Sequence, residues 1–162
     1  MNMLGWLKQR NADRWRFATV TNEAQVAKLF NRMYEDYIQM YGLELEGLEH
    51  REASAVNLSS HYALDGHNPE MLSAYYVGII QLNKSDEGID AHWQIGQTGS
   101  PQWGQGQLFG DYLLIDFQYE EEDAPYAGRV VYRWNGKVWI GFWAEHEIYE
   151  LGYERLSPLQ ER

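Results

Sequence analysis

The sequence predicts an α+β, mainly β fold: an antiparallel meander of about eight strands, closed into a barrel or strongly curved sheet, with one N-terminal amphipathic helix. Three observations predict it. Short alternating segments recur at regular spacing, separated by Gly, Pro, Asn and Asp turns. No strand alternates with a helical segment in the βα pattern, which argues against a parallel sheet. Aromatic residues make up 15% of the chain, with 7 Trp and 12 Tyr, and such side chains suit pleated, half-buried surfaces.

The elements follow in order. Residues 1–14 set Trp6 and Leu7 among polar and charged neighbours and read as a short amphipathic turn or docking arm. Residues 15–20 alternate weakly, as a short strand does. From Val26 the period changes to that of a helix. Val26, Leu29, Phe30, Met33, Tyr37 and Tyr41 draw one apolar stripe. Asn22 or Thr21 can cap its start, Glu23 suits its first turn, and Gly42 can end it in the left-handed conformation. The spacing therefore predicts a helix over 23–41, its stripe buried against a sheet.

Residues 43–51 alternate apolar and acidic, as an exposed strand or a connection does. From residue 52 a strand follows, with Val56, Leu58, Tyr62 and Leu64 on one side and His61 on the other; 65–69 reads as a turn. Strands are predicted at 73–83, 89–97, 103–109 and 112–119, with 84–88 as a turn, Gly99-Ser100-Pro101 as a break and Gly110-Asp111 as a tight hairpin. The four acids of 120–123 read as a solvated loop rather than a calcium site. The last strand is predicted at about 147–156.

The sharpest signal lies in residues 128–143, GRVVYRWNGKVWIGFW. Asn135-Gly136 predicts a two-residue hairpin, because both positions of such a turn need positive φ. The predicted register sets Trp134 opposite Lys137, Tyr132 opposite Trp139, Val130 opposite Gly141 and Gly128 opposite Trp143. One face is then aromatic and small, and we assign it to the barrel interior. The other carries Val131, Val138, Ile140 and Phe142 with Arg129 and Arg133, and is a candidate seat for the helix.

At 162 residues the chain fits a single domain, 1–42 forming the arm and helix and 43–162 the meander. Cysteine is absent, which excludes disulfides and thiolate metal sites and suits a reducing compartment. The start lacks the features of a signal peptide and no run is long enough to span a bilayer, so the expected location is cytoplasmic. A net charge of -11 disfavours nucleic acid and anionic membranes.

Catalytic signatures are sparse. There is no G-x-S-x-G elbow, no phosphate-cradling glycine loop and no H-E-x-x-H. His61 and His67 flank Asp65, but polar residues at a strand end explain them better than a metal site does. His92 faces away from the interior if Trp93 points into it. Asp116 sits mid-strand and is expected to pair with Arg129 or Arg133, because an unpaired buried charge is costly.

From Tyr76 onward the order of motifs resembles a group of uncharacterised bacterial calycin-like domains. The elements are Tyr76-Val-Gly78, Trp93-Gln-Ile-Gly96, Gly104-Gln-Gly106, Gly110-Asp-Tyr-Leu113, Gly128-Arg-Val-Val-Tyr132, Asn135-Gly136, Gly141-Phe-Trp143 and Gly152-Tyr-Glu154. The resemblance covers roughly residues 75–157. It implies an antiparallel barrel shaped like lipocalins and avidins, and no agreed activity.

The candidate ligand-binding residues are Trp93, Tyr132, Trp134, Trp139 and Trp143, joined by Trp103. Stacking and cation–π attraction would hold a small apolar, planar or cationic ligand without catalysis, in a cavity of about 300 Å³ or more. No catalytic residue, metal or cofactor is assigned. The alternative is a protein-interaction or homo-oligomerising module using the helix or a sheet edge. A third reading is an enzyme using His92, His61 or Asp116 in a cone-shaped pocket.

Overall fold

The computed structural model of the chain describes residues 2–42, 45, 48, 56–69, 75–96 and 101–159. Two helices, α1 (Met3–Arg16) and α2 (Glu23–Tyr41), precede eight strands. These are β1 (His61–His67), β2 (Tyr75–Ser85), β3 (Gly88–Ile95), β4 (Gln102–Phe109), β5 (Tyr112–Glu121), β6 (Ala124–Trp134), β7 (Trp139–Glu145) and β8 (Gly152–Pro158). Each strand pairs antiparallel with the next, and β8 returns to β1 to close the barrel. The expected meander closes rather than remaining a curved open sheet. Residues 52–55, the break at 99–100 and all of 43–51 except 45 and 48 lie outside the described residues. The strand predicted from 52 begins only at His61, residues 56–60 being irregular.

The helix over 23–41 forms as the spacing predicts. Asn22 Oδ1 accepts from the Gln25 amide at 2.9 Å, and Gly42 ends the helix at φ 64°. Its buried stripe is Val26, Leu29, Phe30, Met33 and Tyr37. The stripe lies outside the barrel, against Leu114, Val131, Phe142 and Ala144. The helix thus covers the aliphatic face of the β6–β7 hairpin and does not plug the interior.

Two N-terminal expectations are overturned. Residues 3–16 are helical, neither an arm nor the beginning of a strand at 15–20. Asn2 Oδ1 caps the helix by accepting from the Gly5 amide at 2.7 Å. Trp15, which alternates with Phe17 in the sequence, is instead a buried helical residue. Its Nε1 donates to Asp36 on α2 at 2.7 Å, and its indole joins the layer between helices and barrel. That tertiary contact outweighs weak local alternation.

The β6–β7 hairpin forms with a longer loop than predicted. Trp134 pairs with Trp139, Tyr132 with Gly141, Val131 with Phe142 and Val130 with Trp143. Asn135 does not take positive φ; only Gly136 does, at 97°. The Asn135 side chain accepts from the amides of Lys137 and Val138, both at 2.9 Å, and so builds the turn itself. Residues 135–138 therefore form a four-residue loop. The register differs from the prediction by two residues, an even number, so every side chain in the paired strands keeps its predicted face, while Lys137 and Val138 fall in the loop.

Further boundaries move. The turn predicted at 84–88 narrows to residues 86 and 87, with Lys84 and Ser85 in β2 and Gly88 opening β3. Asp65, Gly66 and His67 belong to β1 rather than to a turn. The last strand begins at Gly152, not at 147. Within the acidic run, Glu121 ends β5 and only Glu122 and Asp123 turn, at φ 51° and 62°. The Gly110-Asp111 hairpin is present, with Phe109 opposite Tyr112.

Candidate functional site

Alternation along the closed strands decides what enters the barrel. Leu64, Ile80, Trp93, Ile115, Phe117, Val130, Tyr132, Trp139, Trp143 and Leu156 pack together inside. Large rings fit because glycines stand beside them. A Cβ on Gly152 would sit within the Trp143 indole, and one on Gly66 would press on the Tyr76 ring.

Glu154 is the polar centre of this interior, 4% exposed and placed on β8 between Gly66 of β1 and Gly141 of β7. Its Oε1 accepts from Tyr132 OH at 2.6 Å and from Trp93 Nε1 at 3.1 Å. Its Oε2 accepts from Tyr76 OH at 2.9 Å, and Tyr76 in turn accepts from Trp143 Nε1 at 3.0 Å. Strands β2, β3, β6 and β7 thus all direct donors, directly or in relay, at one carboxyl group on β8. Burial raises the Glu154 pKa, while the bonds from Tyr132, Tyr76 and Trp93 oppose the rise by favouring the charged form. Burial, together with the neighbouring carboxylate, drives the Tyr76 and Tyr132 hydroxyls well above their ordinary values, so both remain donors.

A cavity of about 260 Å³ opens beside this network, slightly smaller than the sequence reading expected. It lies at the barrel end that carries the β5–β6 turn and the β7–β8 connection. Tyr76, Trp93, Phe117, Tyr119 and Trp143 supply its aromatic wall; Glu121, Glu145 and Glu154 supply acid. Glu145, 6% exposed, accepts a hydrogen bond from Tyr119 OH. Burial raises the Glu145 pKa as well, with the Tyr119 bond opposing and Glu121 adding to the rise. No lysine, arginine or histidine lines the cavity among the described residues.

The sequence-derived candidates divide between the two ends of the barrel. Trp93 and Trp143 line the cavity, and Tyr132 supports it from below through Glu154. Trp134 and Trp139 flank the 135–138 loop at the opposite end, their ring centroids 5.3 Å apart. Trp103 does not join the interior cluster; it borders grooves on the outer surface. Sequence reading missed Glu145 and passed over Glu154 as one letter of the Gly152-x-Glu154 motif. The available signal was parity: side chains alternate along a strand, so Glu154 shares a face with Gly152 and Leu156.

The other titratable candidates face outward. His92 and His61 are exposed. Asp116 pairs with Arg129 at 2.8 Å, as expected, but its side chain is 59% exposed and the pair is on the surface. Arg129 also donates to the Ala18 carbonyl at 2.7 Å, tying the segment after α1 to the barrel. Asp65 pairs with Arg155 at 3.0 Å across the β1–β8 seam. His67 is buried against α2, its Nε2 2.5 Å from Tyr37 OH. Among the described residues, no group of three or more His, Asp or Glu is arranged to hold a metal ion.

Fold and site together define an antiparallel eight-stranded barrel, consistent with a calycin-like shape, with aromatic clusters compatible with binding a ligand. Comparisons with family models, with curated proteins and with solved structures return no match to the chain. No helix among the described residues is long and apolar enough to cross a membrane.

Proposed function

We propose that this protein is a non-enzymatic binder of a small ligand, held in the aromatic-lined cavity of a calycin-like barrel. The observation that supports it is the unfilled interior beside Trp93 and Trp143. A barrel whose only purpose is stability fills its inside with side chains, whereas this one keeps an open space walled by rings and edged by polar groups. The cavity holds about nine bodies the size of a water molecule, so it fits a ligand with roughly that many non-hydrogen atoms. The wall chemistry suits an apolar, planar or cationic body. The reading keeps the earlier expectation of a bacterial, cytoplasmic protein, in line with the cysteine-free chain.

Tryptophan fluorescence tests this reading. The protein is titrated with an environment-sensitive apolar dye and a small set of aromatic amines, alcohols and acids. The reading expects saturable quenching, lost in Trp143→Phe at the cavity and kept in Trp139→Phe at the opposite end, with both variants checked for cooperative unfolding. Quenching lost equally in both, or in neither, counts against this location.

A second reading rests on the outer face of β2. Tyr75, Val77 and Ile79 form an exposed apolar row, 75%, 66% and 43% exposed. Such a row fits a second copy of the chain or another protein partner. Light scattering across a hundredfold concentration range tests it: self-association abolished by Val77→Lys supports a dimer, and a constant monomer mass removes the dimer.

A further inference from the structure

We infer that the ligand is a small protonated primary amine, its ammonium group seated against Glu145 and its apolar body against the Trp93 and Trp143 rings. The inference rests on the proposed cavity and narrows what enters it.

Charge is the first argument. Two of the lining carboxyl groups, Glu145 and Glu154, are more than nine-tenths buried, and Glu121 stands at the rim. No basic side chain faces them across the cavity among the described residues. The nearest buried guanidinium, Arg16, reaches only the Glu145 backbone carbonyl at 3.5 Å and spends its charge on Asp13 at 2.8 Å. Buried acids without a counter-ion are costly, and an entering cation offsets that cost. An anionic ligand would deepen it.

Hydrogen-bond accounting separates the two acids. Glu154 takes three donors, from Tyr132, Trp93 and Tyr76. Glu145 takes one, from Tyr119 on Oε1, so among the described residues its Oε2 has no donor. The unfilled place is an acceptor on a negatively charged wall, edged by Glu121 and Glu154. An ammonium N–H fills it, whereas a quaternary ammonium brings no proton and a neutral alcohol brings no charge. The aromatic wall adds attraction for the cation through the ring faces. A cavity of about 260 Å³ limits the body to one ring or a short branched chain. The overall charge of -11 draws cations toward the molecule from outside.

Calorimetric titration with three probes of one shape tests the inference: benzylammonium, benzyl alcohol and benzoate. Benzylammonium is expected to bind at least about tenfold more tightly than benzyl alcohol, the advantage of hydrogen bonds to a charged group, and benzoate is expected not to bind. Glu145→Gln should erase the difference between amine and alcohol while leaving alcohol binding in place. Tyr119→Phe, which removes no charge, should preserve the preference. Equal binding of amine and alcohol by the unmodified protein overturns the amine inference and leaves the cavity reading standing. Binding of none of the three probes, with no saturable dye response, overturns both. If Glu145→Gln fails to unfold cooperatively, benzyltrimethylammonium replaces it as the test. It carries the charge without an N–H, so it should bind less tightly than benzylammonium, and equal binding of the two overturns the inference.

Discussion

Glu154 brings a carboxyl group into an apolar barrel, and three donors offset the cost of removing it from water. Removing the acceptor leaves those donors orphaned, at roughly 1–3 kcal/mol each, so Glu154→Ala should cost about 3 kcal/mol or more in urea unfolding. The charge itself has a pH signature. Burial raises the pKa of both Glu154 and Glu145, so the folded protein binds more protons than the unfolded chain above the ordinary glutamate value of about 4.3. Their contribution is therefore largest below that value and declines as pH rises through the raised values. A Glu145→Gln/Glu154→Gln protein should show a flatter urea midpoint as pH rises from about 4.3. An unchanged slope would mean that neither acid titrates in that range. Space is set as tightly as charge: Gly152→Ala drives a methyl group into the Trp143 indole and should cost about 1–3 kcal/mol, with a shift in tryptophan emission. At this scale the aromatics were legible in the sequence, because alternation sorts them by face. The two acids were not singled out: alternation puts Glu154 on the face of Gly152 and Leu156, but in a chain with 24 acidic residues that parity alone does not mark it.

The two helices show what local pattern can and cannot convey. α2 was legible to the residue, since a 3.6-residue stripe, an Asn cap and a terminal glycine agree with one another. α1 was not: its only visible periodicity was the weak alternation of Trp15 and Phe17, and its stability comes from Trp15 seated on α2 and the barrel. In the same way Asn135-Gly136 announced a turn but not its length, because an Asn side chain can build a turn without adopting positive φ. The joint between α2 and the barrel responds to acid. His67 sits among the rings of Tyr37, Tyr41, Tyr75 and Tyr153, with the Asn68 carbonyl 3.4 Å from its Nδ1. Burial lowers its pKa, so the unfolded chain takes up a proton before the folded one does. Stability from this group is complete above the ordinary histidine value of about 6.5 and declines as pH falls toward the lowered value. His67→Gln should remove that decline in thermal melts taken between pH 7 and 5. A decline of equal size in the variant would locate the acid sensitivity elsewhere.

For the whole molecule, repeated short strands foretold a meander, and the meander closes. Whether it closes could not be read in advance, since closure depends on β8 meeting β1 across more than eighty residues of chain. The Asp65–Arg155 pair at that seam is nearly half exposed at each partner, so it contributes at most about 1 kcal/mol. The ladder and the buried interior hold the seam instead. A chain ending at residue 151 should therefore lose its cooperative urea transition, whereas Asp65→Ala should move the midpoint only slightly. Glu154 lies on the strand that closes the barrel. Synthesis runs from the N-terminus, and β8 is the last of the eight strands to be made. A nascent chain that stops short of Gly152 has neither a sealed wall nor the acid at its centre. Any molecule that recognised this pocket would recognise a finished barrel, and its binding would certify that the chain was made through its eighth strand.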